Sequence, residues 1–190
     1  MKAKLGLKDK RVVMFLGTPR PHKGTEELFA AMEKISDPDI RLVLVGAGSS
    51  VQGYIDNMKI NQDKVIAIPK IPFNELPDYL SAADILAIPQ RDTTDTQGQI
   101  PAKLFDGMAM AKPIITTPIS DIPEVLGGHG YLIEPGNPEQ LANTIKIVFA
   151  NPEEARLKGQ NARKRCQELY DLKVIEKELT SQIKKLTTTQ

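Results

Sequence analysis

Tryptophan is absent from this 190-residue chain, and cysteine occurs once, as Cys166. A lone cysteine excludes an intrachain disulfide, a CxxC redox pair and a cysteine-rich zinc site, and a reducing, cytoplasmic compartment is the expectation. Histidine is nearly as scarce: His22 and His129 stand too far apart in the sequence to be read as a pair. Net charge is missing too. With 25 Lys+Arg against 24 Asp+Glu the formal charge is +1, so no global field favours nucleic acid, and any anion site must be local. No stretch approaches the roughly 20 apolar residues of a membrane span. Charges scattered through residues 1–8 leave no apolar run before a small-residue cleavage site, so no secretion signal is expected. The chain has no G-x-x-x-x-G-K-[ST] loop, no G-x-G-x-x-G fingerprint and no G-x-S-x-G elbow. Asp92 and Asp95 could face a hard cation, yet a divalent site needs more oxygen ligands than their loop offers, so no metal is expected. What remains, 41% hydrophobic and 26% charged residues, suits a folded chain and excludes a wholly disordered or collagen-like one.

Periodicity supplies the architecture. Residues 12–16 form a short continuous apolar run of strand formers that ends at Gly17, as a buried parallel strand would. Leu28, Ala31, Met32 and Ile35 then recur at helical spacing, with Thr25 placed to cap the helix and Glu26 and Glu27 in its first turn. The alternation repeats: strands are expected over 40–45, 65–68, 85–88, 113–116 and 131–133, and helices over 51–59, 75–83, 102–111, a short stretch from Asp121, and 138–149. Asp121 and Glu124 read as a capping box. Beyond Asn151 only long charged helices follow, over 153–170 and 172–186, and these should pack outside the sheet. The expected fold class is α/β, a single doubly wound, Rossmann-like parallel sheet of about six strands with extra carboxyl-terminal helices. The expected domains are a junction segment over 1–10, a Rossmann-like core over 11–150 and packing helices over 151–190.

Doubly wound sheets bind ligands where the strand order reverses, at the carboxyl ends of the strands. A reversal beside the first strand places that crevice between the loops 17–24 and 89–101. The first loop holds Gly17, Thr18, Arg20, Lys23 and Gly24 at a strand-to-helix junction. Glycine lets backbone approach a ligand, a helix start offers unpaired N–H groups, and Arg or Lys neutralises phosphate. The same composition also suits a solvated basic turn stiffened by Pro19 and Pro21. The second loop is long and polar for a compact α/β domain, as functional or mobile loops are, and runs into a helix whose first turn, around Ile100, Ala102 and Lys103, could aim its dipole into the same crevice. Asp106, a turn further on, is either an exposed helix carboxylate or an acceptor for sugar hydroxyls. Cys166, in a helical segment beside Arg163, Lys164 and Arg165, reads as a packed thiol rather than a nucleophile.

The ordered set formed by 17–24, the strand end 43–48, 75–84, 103–113, Glu124 and 130–133 resembles the carboxyl-terminal, donor-binding half of GT-B fold retaining glycosyltransferases of the family 4 type. The resemblance covers nearly the whole chain. It implies a nucleotide diphosphate sugar as donor substrate, no other cofactor, and transfer of the sugar to a hydroxyl acceptor with anomeric retention. Lys23 matches the family lysine that neutralises the diphosphate. The family arginine usually follows the first-strand glycine directly, where this chain has Thr18, with Arg20 two residues later. Lys23 and Arg20 are therefore the expected leaving-group stabilisers. Of the two family glutamates, the second falls on Asp106 and the first on Gly98, which has no carboxylate. The segment with Lys70 and Ile71 resembles the one that holds the nucleobase, and Glu124 matches a glutamate near the donor crevice. Leu5-Gly6-Leu7 resembles the junction to an amino-terminal acceptor-binding domain, which would be a partner; without it, turnover should be weak or nil. Two alternatives stay open: a non-catalytic nucleotide-sugar-binding module, and half of a sugar-nucleotide epimerase. Peripheral membrane contact would follow where such enzymes glycosylate lipids. An apolar stripe near Val174, Ile175, Leu179 and Ile183 would offer a surface for homodimerisation.

Overall fold

A computed structural model describes residues 1–48 and 62–188. Six parallel strands make one sheet: β1 (Arg11–Leu16), β2 (Ile40–Val45), β3 (Val65–Ile68), β4 (Ile85–Ile88), β5 (Ile114–Thr116) and β6 (Tyr131–Leu132), in the order β3-β2-β1-β4-β5-β6. The helices described are α1 (Thr25–Glu33), α2 (Leu76–Ser81), α3 (Ala102–Ala109), α4 (Ile122–Leu126), α5 (Pro138–Ala150), α6 (Pro152–Leu169) and α7 (Leu172–Thr188). The helix expected over 51–59 lies outside the described residues.

Both faces of the sheet are covered, which is why β1 reads as an unbroken apolar run. Val13 and Phe15 face a core with Leu28 and Met32 of α1 and Leu141 and Ile145 of α5. Val12, Met14 and Leu16 face the opposite core, with Leu80 of α2, Leu104 and Met108 of α3 and Ile122 of α4. Register is continuous between β1 and β2, from Arg11 opposite Ile40 to Leu16 opposite Val45. β1 and β2 therefore end level, and the loops after them open on the same edge. Residues 1–10 pack on this body: Leu7 is buried and the Lys2 ammonium lies 2.6 Å from the Asp84 carboxylate.

Two expected caps differ. Thr25 does not cap α1; the N-cap is Gly24 at φ +70°, where an added Cβ would lie 1.6 Å from the Pro89 carbonyl oxygen. The Thr25 hydroxyl instead accepts from the Arg20 N–H and donates to the Arg20 carbonyl, both at 3.2 Å, which ties the loop to the helix. Asp121 stands at the N-cap of α4, but with ψ 13° its backbone leaves the extended geometry that aims a capping side chain, and its carboxylate caps nothing. The helix expected over 75–83 is also shorter, opening with a 3₁₀ turn at Phe73–Glu75 before α2.

The carboxyl-terminal helices do pack outside the sheet. In α6, Gly159 lets the backbone sit against the turn that follows α3, since a Cβ there would fall 2.2 Å from the Ala111 carbonyl oxygen. Ala162 and Cys166 complete that contact in the core. Burial raises the Cys166 thiol pKa, as suits a packed rather than a reactive cysteine. Leu172, Ile175, Leu179, Ile183 and Leu186 of α7 stay exposed. Among the described residues, no helix is long and apolar enough to cross a membrane.

Candidate functional site

The sheet order reverses between β1 and β4, and the crevice predicted from that reversal is present as a cavity of about 410 Å³ at the carboxyl ends of the strands. Its floor is backbone. Gly17 and Gly46, both at positive φ, close the ends of β1 and β2, and a Cβ on Gly46 would stand 3.2 Å from the Gly17 Cα. Glycine at both positions lets two strand ends meet and keeps the floor low.

Lys23 closes one wall. It ends the 3₁₀ turn Pro21–Lys23, and its Nζ folds back to donate to the Thr18 carbonyl at 3.2 Å. Burial and the nearby Arg20 guanidinium lower its pKa. Lys103 rises from the first turn of α3 on the other side. Its Nζ donates to the Leu16 carbonyl at 3.1 Å and sits 4.4 Å from the centre of the Phe15 ring. Burial, with Lys23 as a second cation nearby, pulls its pKa down from 10.5 to about 7. Two ammonium groups and the opening N–H groups of α3 thus share one cleft. That is an arrangement for an anion, whose arrival would relieve the repulsion between the lysines. Asp106 also lines the cleft, and burial raises its carboxyl pKa.

The loop after β4 is held at several points. The Arg91 N–H donates to the His22 carbonyl at 3.0 Å, and the Arg91 guanidinium bonds both Glu26 and Glu27 of α1. The Thr96 hydroxyl donates to the Arg91 carbonyl at 2.6 Å, and the Gly98 N–H donates to the Ser120 hydroxyl at 2.8 Å. Those bonds fix the two loops together, so the walls of the cleft are pre-formed.

Seven of the residues proposed from the sequence line the cleft: Gly17, Lys23, Lys70, Ile71, Ala102, Lys103 and Asp106. Five stand outside its lining. Thr18 and Arg20 are exposed, because the chain is extended at Arg20 (φ −149°, ψ 149°) as it leaves β1. Gly98 is exposed and turned towards Ser120, and Ile100 packs under the loop against the core. Glu124 is exposed beside α6, its carbonyl accepting from Arg165 at 2.9 Å. The cleft also takes residues not named as site candidates: His22, Gln90, Gln99 and Pro101 from the two loops expected to flank it, and Gly46 and Leu76. His22 and Gly46 lie in the turns that follow β1 and β2. Gln90 and Gln99 belong to no motif.

Comparison with known proteins identifies the fold and the family. Spore coat protein SA of Bacillus subtilis (strain 168) is 24% identical across 95% of this chain and 50% of its own length. The chain spans about half, or less, of the curated relatives it matches. The crystal structure of Anabaena Alr3699/HepE in complex with UDP superposes with a TM-score of 0.85 at 20% identity, covering 97% of this chain and 51% of HepE. The C-terminal domain of the glycosyl transferase group 1 family protein LpcC from Francisella tularensis superposes with a TM-score of 0.75 at 21% identity, covering 90% of this chain and 91% of that domain. Both likenesses establish the fold. The sequence model described as Glycosyl transferases group 1 matches residues 10–151, and the chain belongs to that family.

Proposed function

We propose that this chain is the donor-binding half of a GT-B, family 4 type retaining glycosyltransferase, and that its cleft holds a nucleotide diphosphate sugar. The observation that carries this reading is the meeting of Lys23, Lys103 and the start of α3 in one cleft at the switch point. The diphosphate sits between the two ammonium groups. The nucleobase lies over Ile71 and Lys70 at the β3 end, and the Asp106 carboxylate accepts from ribose hydroxyls. During transfer the bond from the anomeric carbon to the diphosphate breaks, and negative charge grows on the leaving phosphate. Lys23 and the α3 N–H groups stabilise that charge in place, and this preorganisation is the main catalytic contribution. Arg20, exposed at the cleft's margin, contributes field rather than contact. HepE, half of which shares this fold, is known in complex with UDP, which supports a nucleotide as the ligand.

An acceptor-binding half completes the enzyme, and the chain alone turns over weakly or not at all. Exposed Gly98 at a family carboxylate position supports a second reading, a module that binds the donor without transferring it. Titration calorimetry with UDP, GDP and ADP, repeated with Lys23→Ala, tests the first reading. One diphosphate should bind, and the variant should lose about 10- to 100-fold in affinity, as for one charged hydrogen bond of roughly 1.5–3 kcal/mol. Absence of binding to all three, or an unchanged Lys23→Ala affinity, would refute it. Adding an acceptor-binding half and assaying sugar transfer separates enzyme from binding module.

A further inference from the structure

Gln90 is the second residue of the loop that follows β4, and it is only 4% exposed. Its backbone is fully engaged: the N–H donates to the Ile88 carbonyl at 2.9 Å, and its carbonyl accepts the Thr117 hydroxyl at 2.8 Å. Its side chain is not. The carboxamide oxygen is buried with no hydrogen-bond partner, and the residue lines the cleft. A buried, unpaired amide oxygen costs stability of order 1–3 kcal/mol, and the great majority of buried polar atoms are paired. Structure gains nothing from Gln90, since a methionine would fill the same volume without the orphan group.

We infer that Gln90 reads the hydroxyl groups of the donor's glycosyl unit. This rests on the donor-binding reading above and assigns its sugar subsite. The sheet order gives the direction. Lys70 and Ile71 follow β3 at one edge, whereas Gln90 follows β4, on the other side of β1. With the base at the β3 end and the diphosphate between Lys23 and Lys103, the glycosyl unit falls on the β4 side. Gln90, Gln99 and His22 line the cleft there.

The chemistry fits. A carboxamide offers one acceptor and two donors, which suits hydroxyls that both give and take hydrogen bonds. It does so without a negative charge beside a diphosphate. The position where relatives of the family 4 type carry a sugar-facing carboxylate is Gly98 here, and the Gly98 N–H is turned to Ser120. A site built to pair a hydroxyl also rejects ligands that lack one, because its own polar group is then left unpaired.

The test compares each nucleotide with its sugar conjugate by calorimetry: UDP against UDP-glucose, and GDP against GDP-mannose. Wild type should bind one conjugate more tightly than its parent nucleotide. Gln90→Met should weaken that conjugate by about 5- to 30-fold, as for one hydrogen bond and its orphaned partner, and leave the parent nucleotide within about twofold. The unchanged nucleotide affinity also proves that the variant folds. Equal losses for both ligands, or no loss for either, would overturn the assignment. Should Gln90→Met not fold, the wild-type Gln90 side-chain amide resonance decides: it should shift with the conjugate and stay still with the nucleotide, and the reverse pattern overturns the assignment. If wild type binds neither nucleotides nor conjugates, the donor-binding reading itself falls and the assignment with it.

Discussion

Replacing Lys103 with methionine should stabilise the ligand-free protein near neutral pH and weaken its hold on a diphosphate. The folded pKa is about 7 against an ordinary 10.5. Between those values the unfolded chain holds a proton that the folded chain has released, so stability must rise with pH across this window. Below about 7 both states are protonated, and the folded state carries the full cost of an enclosed ammonium beside Lys23. At about 1.4 kcal/mol per pH unit the whole window is worth at most roughly 5 kcal/mol. From pH 7 to pH 9 the wild type should gain about 2 kcal/mol over Lys103→Met. Urea unfolding of both proteins from pH 6 to 9 isolates this contribution, since the other titrating groups cancel in the difference. Diphosphate binding should restore the charged form. Wild type at pH 8 should therefore take up close to one proton per nucleotide, visible as a binding heat that depends on the buffer. A difference in stability that stays flat from pH 6 to 9, with no proton uptake, would refute the reasoning.

Gly24→Ala should be the most destabilising of the small substitutions in this region. The new Cβ would lie 1.6 Å from the Pro89 carbonyl oxygen, at a backbone with φ +70°. A loss of at least about 3 kcal/mol in urea unfolding is expected. Arg91→Ala removes both partners' counter-ion and leaves Glu27, only 8% exposed, with one carboxylate oxygen already unpaired. Since Arg91 is itself about one-third exposed, the expected loss is about 2 kcal/mol rather than the larger figures of fully buried pairs. Limited proteolysis should then cut within the loop 90–101 faster than in wild type.

The sheet and its switch point were legible because they depend on local pattern. Strands covered on both faces have to be apolar where they are buried, as 12–16, 42–45 and 85–88 are. Glycine and proline then mark where each strand stops. The place of Lys23 was legible too, since it belongs to the loop expected to flank the switch point, and it lines the cleft there. What escaped the sequence depends on contacts between distant segments. Gly24 rather than Thr25 takes the cap because Pro89 approaches it, and nothing near residue 24 encodes that approach. Arg20 points to solvent because Thr25 holds its backbone extended. Gln90 belongs to the loop 89–101, in which no motif singles it out, and only the cleft around it exposes an amide oxygen without a partner. Lys103 was placed at a helix start, but its reach back to the Leu16 carbonyl and the Phe15 ring is purely tertiary.

A crystal structure of the chain with a bound nucleoside diphosphate tests the central claim most directly. The β-phosphate should lie within hydrogen-bond reach of Lys23 Nζ and of the first N–H groups of α3, with the base over Ile71. A nucleotide bound away from the junction of β1 and β4, or with its phosphates turned from both lysines, would contradict the account.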